Sequence, residues 1–386
     1  VHIVRRCVDV ADLVAAAASG RARAALLAAD LPHLDADVVA ALRAAHVEPM
    51  GVVGADEPGA THRLHQMGVA VVLTAGAGGD LAAEVAHGLE RSGVEVEPSP
   101  PPDDAGAAPV PGEILAVWGP TGAPGRTTVA VALATELAGL GRSALLVDAD
   151  VYGGSVAQHL AVLDDVSGVL AAARNARAGA LQPPVLSAHC RQVGRLRVLT
   201  GLPRPDRWPE LSAVAMSAVL ASARALADHV VVDCGFSLEA DEELMFDTAA
   251  PRRNGATLCV LGQADRVLAV GGADPVGLSR LARSVVDLTT AIPGCQPTVV
   301  VNRMRGSLGW SAAEATAMIE RFTGRGPAVV LPDDRAACDR ALVHGRTLAE
   351  CAPASPLRLR LQQMAAEVAG VAVPRRGRLR RVAPVS

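Results

Sequence analysis

Short apolar runs alternate with longer amphipathic runs along most of the chain. In the last two thirds, the apolar runs predict strands at 114–118, 143–148, 196–200, 229–233, 266–270, 297–302 and 327–331. The amphipathic runs predict helices at 126–140, 210–227, 274–288, 311–322, 333–343 and 356–369, and segment 256–263 fits either element. Continuous apolar strands separated by helices are typical of a parallel sheet covered on both faces. We therefore predict an α/β fold with a doubly wound, mostly parallel sheet.

The first third repeats this alternation on a smaller scale. Its strand-like runs are 24–30, 49–56 and 69–76, and its helical runs are 36–45, 62–68 and 80–90. Proline, acidic and small residues then dominate 95–112, a composition that stays extended instead of packing. The predicted organisation is a small α/β domain at 1–94, a linker at 95–112, a larger domain at 113–370 and a tail at 371–386.

Composition narrows the class of protein. The 386 residues are 50% hydrophobic with a net charge of -4, which argues against both a disordered chain and an obligate nucleic-acid binder. The seven cysteines are widely spaced and include no C-x-x-C, so neither a disulfide framework nor a zinc site is indicated. No apolar run is long enough to span a membrane and no export signal is recognised, so we expect a cytoplasmic protein. All 36 basic residues are arginine.

The first strand of the larger domain runs into a glycine-rich turn that opens a helix, GPTGAPGRTTVAVALATELA at 119–138. Such a turn points backbone N–H groups and the positive end of a helix at one place, where a nucleotide's phosphates bind. A Walker A loop reads G-x-x-x-x-G-K-[ST]. Here Gly125, Arg126 and Thr127 take its last three places, with arginine for lysine.

Acidic residues follow two of the apolar strands. Asp148 and Asp150 lie in LLVDADVYGGS, and Asp233 ends HVVVDCG. One strand-end aspartate is commonly a helix N-cap. Three such acids behind a phosphate loop instead predict a site in which carboxylates orient magnesium's waters and an attacking water.

These residues resemble the deviant-Walker ATPases of the MinD and ParA family, SIMIBI-type P-loop NTPases, over about residues 112–360. The resemblance implies ATP and Mg²⁺ as cofactors. It implies that Asp150 positions the attacking water, with Arg126 at the phosphates, and that Thr127, Asp148 and Asp233 hold Mg²⁺, partly through water. The nucleotide-binding residues it implies are Gly122, Ala123, Pro124, Gly125, Arg126, Thr127 and Thr128 in the loop, with Asn302 and Pro332 beside the adenine.

Within that family, VDADVYGGSVAQHL, ADPVGLSRL and the fused N-terminal domain look most like the CpaE and TadZ pilus-localisation proteins and the actinobacterial septum-site-determining proteins. This resemblance implies a nucleotide-dependent homodimer that positions a pilus, secretion or division machine through protein partners. Two positions depart from the family, which has lysine where this chain has Thr121 and Arg126. The planar guanidinium of arginine is bulkier than an ammonium, so we expect ATP binding with slow hydrolysis.

The N-terminal domain resembles a response-regulator receiver in LLAADLPHLDADVVAALRAA. Placing Pro32 on the family's proline puts Ala28 at the phospho-acceptor position, and segment 73–79 lacks the family's lysine. We also expect the first strand and helix of a complete receiver to be missing before residue 1. We therefore predict a pseudo-receiver that docks or relays.

Arginines outside the phosphate loop allow alternative interpretations of what the protein contacts and does. The tail carries five, at Arg375, Arg376, Arg378, Arg380 and Arg381, which could contact anionic lipid at about 1 kcal/mol each or the phosphates of DNA. Such contacts would place the protein weakly at the inner face of the plasma membrane, or make it a DNA-partitioning ATPase. The substitutions in the loop favour a third alternative, a non-catalytic scaffold. Arg252 and Arg253 fit a solvated surface pair, or a contact with phosphate or a partner.

Overall fold

The computed structural model describes residues 2–54, 57–75, 81–92, 111–122, 124–162, 166–239, 252–324, 326 and 328–372. Within these residues the chain forms a three-stranded sheet and an eight-stranded sheet. The smaller sheet contains β1 (Ala24–Ala28), β2 (Glu48–Gly54) and β3 (Val71–Ala75), parallel and adjacent in chain order. Its helices are α1 (Val10–Ala18), α2 (Ala36–Ala44), α3 (Pro58–Gln66) and α4 (Leu81–Ser92).

The larger sheet has the strand order β11-β10-β9-β4-β8-β5-β7-β6. Only β6, at one edge, is antiparallel to its neighbour among the described pairs. The strands are β4 (Glu113–Trp118), β5 (Ala144–Ala149), β6 (Arg191–Val193), β7 (Leu196–Leu199), β8 (His229–Cys234), β9 (Arg266–Gly272), β10 (Thr298–Met304) and β11 (Val329–Pro332). Because β4 lies between β8 and β9, the turn that follows it opens near the middle of the sheet.

Helices cover both faces of this sheet. One core cluster includes residues of α5, α13, α14 and α15, and the other includes residues of α7 and α9 to α12. The helices are α5 (Arg126–Gly139), α6 (Val156–His159), α7 (Gly168–Arg177), α8 (Pro183–His189), α9 (Ala213–Leu226), α10 (Gly255–Gln263), α11 (Pro275–Ala291), α12 (Ala312–Thr323), α13 (Arg335–His344), α14 (Leu348–Cys351) and α15 (Pro356–Ala369). Among the described residues, 3-10 helices span Pro205–Glu210 and Gly306–Leu308.

Leucine, valine and alanine fill the two cores, because the sequence has only seven aromatic residues. Central strands are buried on both faces, which is why their sequences are continuous apolar runs and not alternating ones. Trp118 is a large aromatic side chain buried among these smaller core residues, and its indole Nε1 donates to the carbonyl of Phe236 at 3.2 Å. The prediction of an α/β fold with a mostly parallel sheet is confirmed.

Some elements differ from the sequence-based expectations. Segment 256–263, which fitted either element, is helical within α10. The described residues between Val156 and Val193 form helices α6, α7 and α8 and strand β6, none of which was predicted. Helix α1 was also missed; Asp9 caps it by accepting from the Asp12 N–H. Short elements carry little periodicity, so their sequences do not distinguish them from loops.

The smaller unit packs against α7 and α9 of the larger one. Arg177 of α7 donates to Asp35 at 2.9 Å and lies 3.0 Å from Asp37. Ser212, the N-cap of α9, donates to Asp37 at 2.6 Å. Polar bonds therefore tie the start of α2 to the larger unit. None of the described helices is long and apolar enough to cross a membrane.

Candidate functional site

The turn between β4 and α5 has the backbone of a phosphate-binding loop. Gly122 and Gly125 adopt φ angles of 100° and 96°, a region that side chains disfavour. A Cβ atom at Gly125 would also lie 2.5 Å from Nδ2 of Asn302. These two glycines allow the chain to reverse and enter α5 at Arg126. Ala123 lies outside the described residues.

Arg126 turns back into the loop that it follows. Its Nη1 donates to the carbonyl oxygens of Gly119 at 3.1 Å and Pro120 at 3.0 Å, and its Nη2 lies 3.4 Å from Oδ2 of Asp150. Its Nε is buried without a hydrogen-bond partner among the described residues. The one basic side chain in this loop is thus held by the protein's own acceptors.

Thr127 connects the loop to the end of β8. Its hydroxyl donates to Oδ2 of Asp233 at 2.6 Å, and Asp233 is 1% exposed. Burial raises the pKa of Asp233 well above its ordinary value, and the negative charge of Asp148 adds to the shift. Oδ1 of Asp233 has no hydrogen-bond partner among the described residues. A buried carboxylate oxygen without a partner is costly unless a cation, a water or a proton satisfies it.

Asp148 and Asp150 play different parts in the turn after β5. Asp148 accepts from the N–H groups of Asp150 at 3.2 Å and Val156 at 3.1 Å, so both of its oxygens hold the turn. Burial raises the pKa of Asp148 to about 7. Asp150 accepts from the Tyr152 N–H at 2.9 Å with one oxygen and faces Arg126 with the other. Asp150 is therefore the acid that reaches the loop's cation, and a role for Asp148 at magnesium stays a prediction.

Mg²⁺ commonly takes one or two protein oxygens and completes its shell with waters and substrate phosphates. The unpartnered Oδ1 of Asp233 and the Thr127 hydroxyl fit that pattern. In the part of the chain that the structure describes, no group of three or more His, Cys, Asp or Glu side chains could hold a metal ion alone. The donor set suits a magnesium ion that arrives with a nucleotide.

A cavity of about 560 Å³ opens beside the loop, within the usual size range of ligand pockets. Gly125, Thr128, Asn302 and Pro332 line it. Asn302 is buried, and its Nδ2 donates to the Pro124 carbonyl at 2.8 Å while its Oδ1 accepts from the Arg303 N–H at 2.9 Å. Both ends of the amide are thus engaged by backbone, and Asn302 joins β10 to the phosphate loop.

An aromatic cluster that the sequence did not reveal lies next to Asp150. The rings of Tyr152 and Phe236 have centroids 4.6 Å apart, and the guanidinium of Arg253 lies 4.0 Å from the Tyr152 centroid. The Tyr152 hydroxyl donates to Asn254 at 2.8 Å. Arg253 therefore packs on an aromatic ring and is no free surface charge. The available signal was the placement of Tyr152 and Phe236 just after two acid-bearing strands, in a sequence with few aromatic residues.

No family model and no curated protein matches this sequence. Solved structures do match it. A ParA-family ATPase from Chlorobium tepidum TLS has a TM-score of 0.55 and 17% identity, over 66% of this chain and 98% of its own. The cell division ATPase MinD from Pyrococcus furiosus has a TM-score of 0.53 and 21% identity, over 68% and 100%. The septum site-determining protein MinD from Pyrococcus horikoshii OT3, complexed with Mg-ADP, has a TM-score of 0.51 and 20% identity, over 66% and 95%.

The chain contains the fold of the ParA and MinD ATPases. About two thirds of it aligns with nearly the whole of each of these structures. A fold of this kind places ligands beyond the carboxyl ends of the strands, where β4, β5 and β8 end here. The loop, Asp150 and Asp233 meet at that edge, where the structure brings together Arg126, Thr127, Asp150 and Asp233. Of the other predicted residues, Asp148 is paired with Asp233 across β5 and β8, and Asn302 is bonded to Pro124.

Proposed function

We propose that this protein is a ParA/MinD-like ATPase, which binds ATP with Mg²⁺ and hydrolyses it slowly. The observation that carries the proposal is the bond from Thr127 to Asp233, with the second Asp233 oxygen buried and unpartnered beside a phosphate-type loop. The Mg-ADP in the Pyrococcus horikoshii structure supports this choice of ligand.

Each residue of the site has a part in this proposal. Backbone N–H groups of the loop and of the first turn of α5 bind the phosphates. Thr127 and Asp233 hold Mg²⁺, which neutralises phosphate charge when bound. Arg126 exchanges its carbonyl partners for phosphate oxygens, and Asp150 orients the attacking water once it is released from Arg126. Asn302 keeps the loop in register with β10 through Pro124.

Calorimetric titration of the purified protein with ATP in the presence of Mg²⁺ tests binding. We expect saturable binding that EDTA weakens. Phosphate release tests turnover, and Asp150→Asn should abolish it while Asp206→Asn, at an exposed residue paired with Arg204, should not. Absence of ATP binding by the wild-type protein would contradict the proposal.

A non-catalytic scaffold is the second candidate. The contact of Arg126 with Asp150 favours it, because this contact occupies the acid that would serve the attacking water. Thr121 supports it as well, since it brings no positive charge to the loop. ATP binding without phosphate release, unchanged by Asp150→Asn, would favour the scaffold over the ATPase.

For the cellular role, we propose that a nucleotide-dependent homodimer positions a membrane-associated machine, of the CpaE/TadZ pilus type or the division septum. The protein would act in the cytoplasm, in part at the inner face of the plasma membrane. The smaller unit is proposed to be a pseudo-receiver that docks partners. Its parallel order β1-β2-β3 supports this, since it corresponds to the last three strands of the order 2-1-3-4-5 found in such domains.

A further inference from the structure

Arg280 of α11 lies against the first half of the phosphate loop. Its Nη1 is 2.5 Å from the position that a Cβ atom would take at Gly122. The guanidinium, the loop and the start of α11 border a cleft of about 70 Å³, with Thr121 and Gly122 on one side and Gly272 and Asp274 on the other. An arginine that is 158 positions further along the chain therefore covers the loop where the loop has no side chain of its own.

The donors of Arg280 are available. The residue is exposed, and within the described part of the chain it makes no hydrogen bond or ion pair. Asp274, the acid that lines the cleft, is the N-cap of α11 and accepts from the Gly277 N–H at 3.0 Å. By contrast, Arg126 already has three acceptors. Arg280 therefore brings an unengaged positive charge to the first half of the loop, in addition to that of Arg303, which lines the same cleft.

The positions of the two clefts indicate which way a bound nucleotide lies along the loop. The larger cavity lies on the side of Gly125 and Thr128, and it is the one with room for a base and a sugar. The smaller cleft lies on the side of Thr121 and Gly122. A nucleotide whose base occupies the larger cavity must extend its phosphates along the loop, so the terminal phosphate comes nearest to Gly122 and Arg280.

We propose that Arg280 binds the terminal phosphate of a nucleoside triphosphate and makes the site prefer triphosphate over diphosphate. This inference rests on the proposed function, because it presumes that the loop holds a nucleotide. Guanidinium groups bind phosphate oxygens through charge-assisted, often bidentate hydrogen bonds. Arg280 adds to the site a positive charge that Thr121 does not supply.

The test compares Arg280→Ala with Arg283→Ala, a matched control one turn further along the exposed side of α11, where Arg283 bonds to Ser279 and to no other described residue. Dissociation constants are measured calorimetrically with Mg²⁺ for a non-hydrolysable ATP analogue and for ADP. Arg280→Ala should weaken the analogue about 10- to 100-fold and ADP less than about twofold. Arg283→Ala should change neither, and Arg280→Lys should recover part of the loss.

Two outcomes would overturn the inference while leaving the proposed function intact. One is an unchanged affinity of Arg280→Ala for the analogue, and the other is an equal loss for the analogue and ADP. If the wild-type protein binds neither nucleotide, the proposed function itself fails. Thermal unfolding of both variants checks that the substitutions leave the fold unchanged, as expected for two exposed side chains.

Discussion

Arg126 and Asp150 are paired across the candidate phosphate site, with Nη2 of Arg126 3.4 Å from Oδ2 of Asp150. The exposed fractions of the two side chains are 13% and 9%, so water screens the pair weakly. The same guanidinium also donates to the carbonyls of Gly119 and Pro120. A phosphate that enters the loop must compete with these acceptors for the guanidinium of Arg126. When the guanidinium binds the phosphate instead, Asp150 is released.

Arg126→Lys should raise ATP turnover about tenfold. The compact ammonium of lysine reaches fewer of the three acceptors, so Asp150 is freed more easily while a positive charge remains for the phosphates. Phosphate release at saturating ATP measures the effect. Arg142→Lys is the control, because Arg142 follows the far end of α5 and bonds to the Ala369 carbonyl. If Arg126→Lys and the wild type had equal turnover, competition between phosphate and the protein acceptors of Arg126 would not limit hydrolysis.

Asp233→Asn should remove the magnesium dependence of ATP binding. The amide carries no negative charge to bind the ion, and it disturbs the hydrogen bond from Thr127. The affinity for ATP should therefore fall about 10-fold or more in the presence of Mg²⁺ and change little in EDTA. Asp228→Asn is the matched control, since Asp228 precedes the opposite end of β8 and is exposed, accepting from the Ser143 N–H. Retention of the full magnesium effect in Asp233→Asn would place the ion elsewhere.

The buried carboxyl of Asp148 should make the apo protein less stable as pH rises. Burial raises the pKa of Asp148 from 3.8 to about 7 in the folded state. Between these values the folded state binds more protons than the unfolded state, so the free energy of unfolding falls with rising pH. Burial also raises the pKa of Asp233, which adds to the decline in the same direction. In Asp148→Asn this decline should be smaller. Denaturant unfolding across pH 4 to 8 measures it.

Asp265→Asn provides a control with the opposite sign. Burial by itself would raise the pKa of Asp265. Hydrogen bonds from Arg224 and from the Ile114 N–H outweigh burial and hold this pKa below its ordinary range. Its contribution is therefore present above the unfolded pKa and lost only as pH falls through the lower, folded pKa. Asp265→Asn should leave the decline between pH 4 and 7 unchanged. A wild-type profile that rises over this range would disprove the assignment to Asp148.

Arg177→Ala should loosen the smaller unit from the larger one. Arg177 bonds to Asp35 and Asp37 at the start of α2, and its side chain is 35% exposed, so the loss is modest. We expect amide exchange in α2 to quicken about fivefold, with little change in β4 or β5. Arg174→Ala is the control, because Arg174 lies on the same helix but pairs with Glu210 of the larger unit. Equal exchange in both variants would mean that apolar contacts alone hold the interface.

Much of the larger unit could be predicted because its strands are buried on both faces. Each of the strands expected at 114–118, 143–148 and 229–233 is present as β4, β5 or β8. Helix α15 is also present with the bounds predicted for it, 356–369. Between Val156 and Val193, α6, α8 and β6 are too short to leave a clear pattern, whereas the ten residues of α7 have an amphipathic pattern that the sequence analysis missed.

The sequence by itself determined the parallel sheet, the glycine turn before α5 and the acids at strand ends, because these depend on local hydrophobicity and on backbone conformations special to glycine. Only the tertiary structure decided which groups meet. Asn302 reaches Pro124, Arg126 reaches Asp150, and Arg280 reaches Gly122, through contacts between residues far apart in the chain. Strand order β9-β4-β8-β5 and the packing of α11 create these contacts, and neither is encoded in the spacing of residues along one segment.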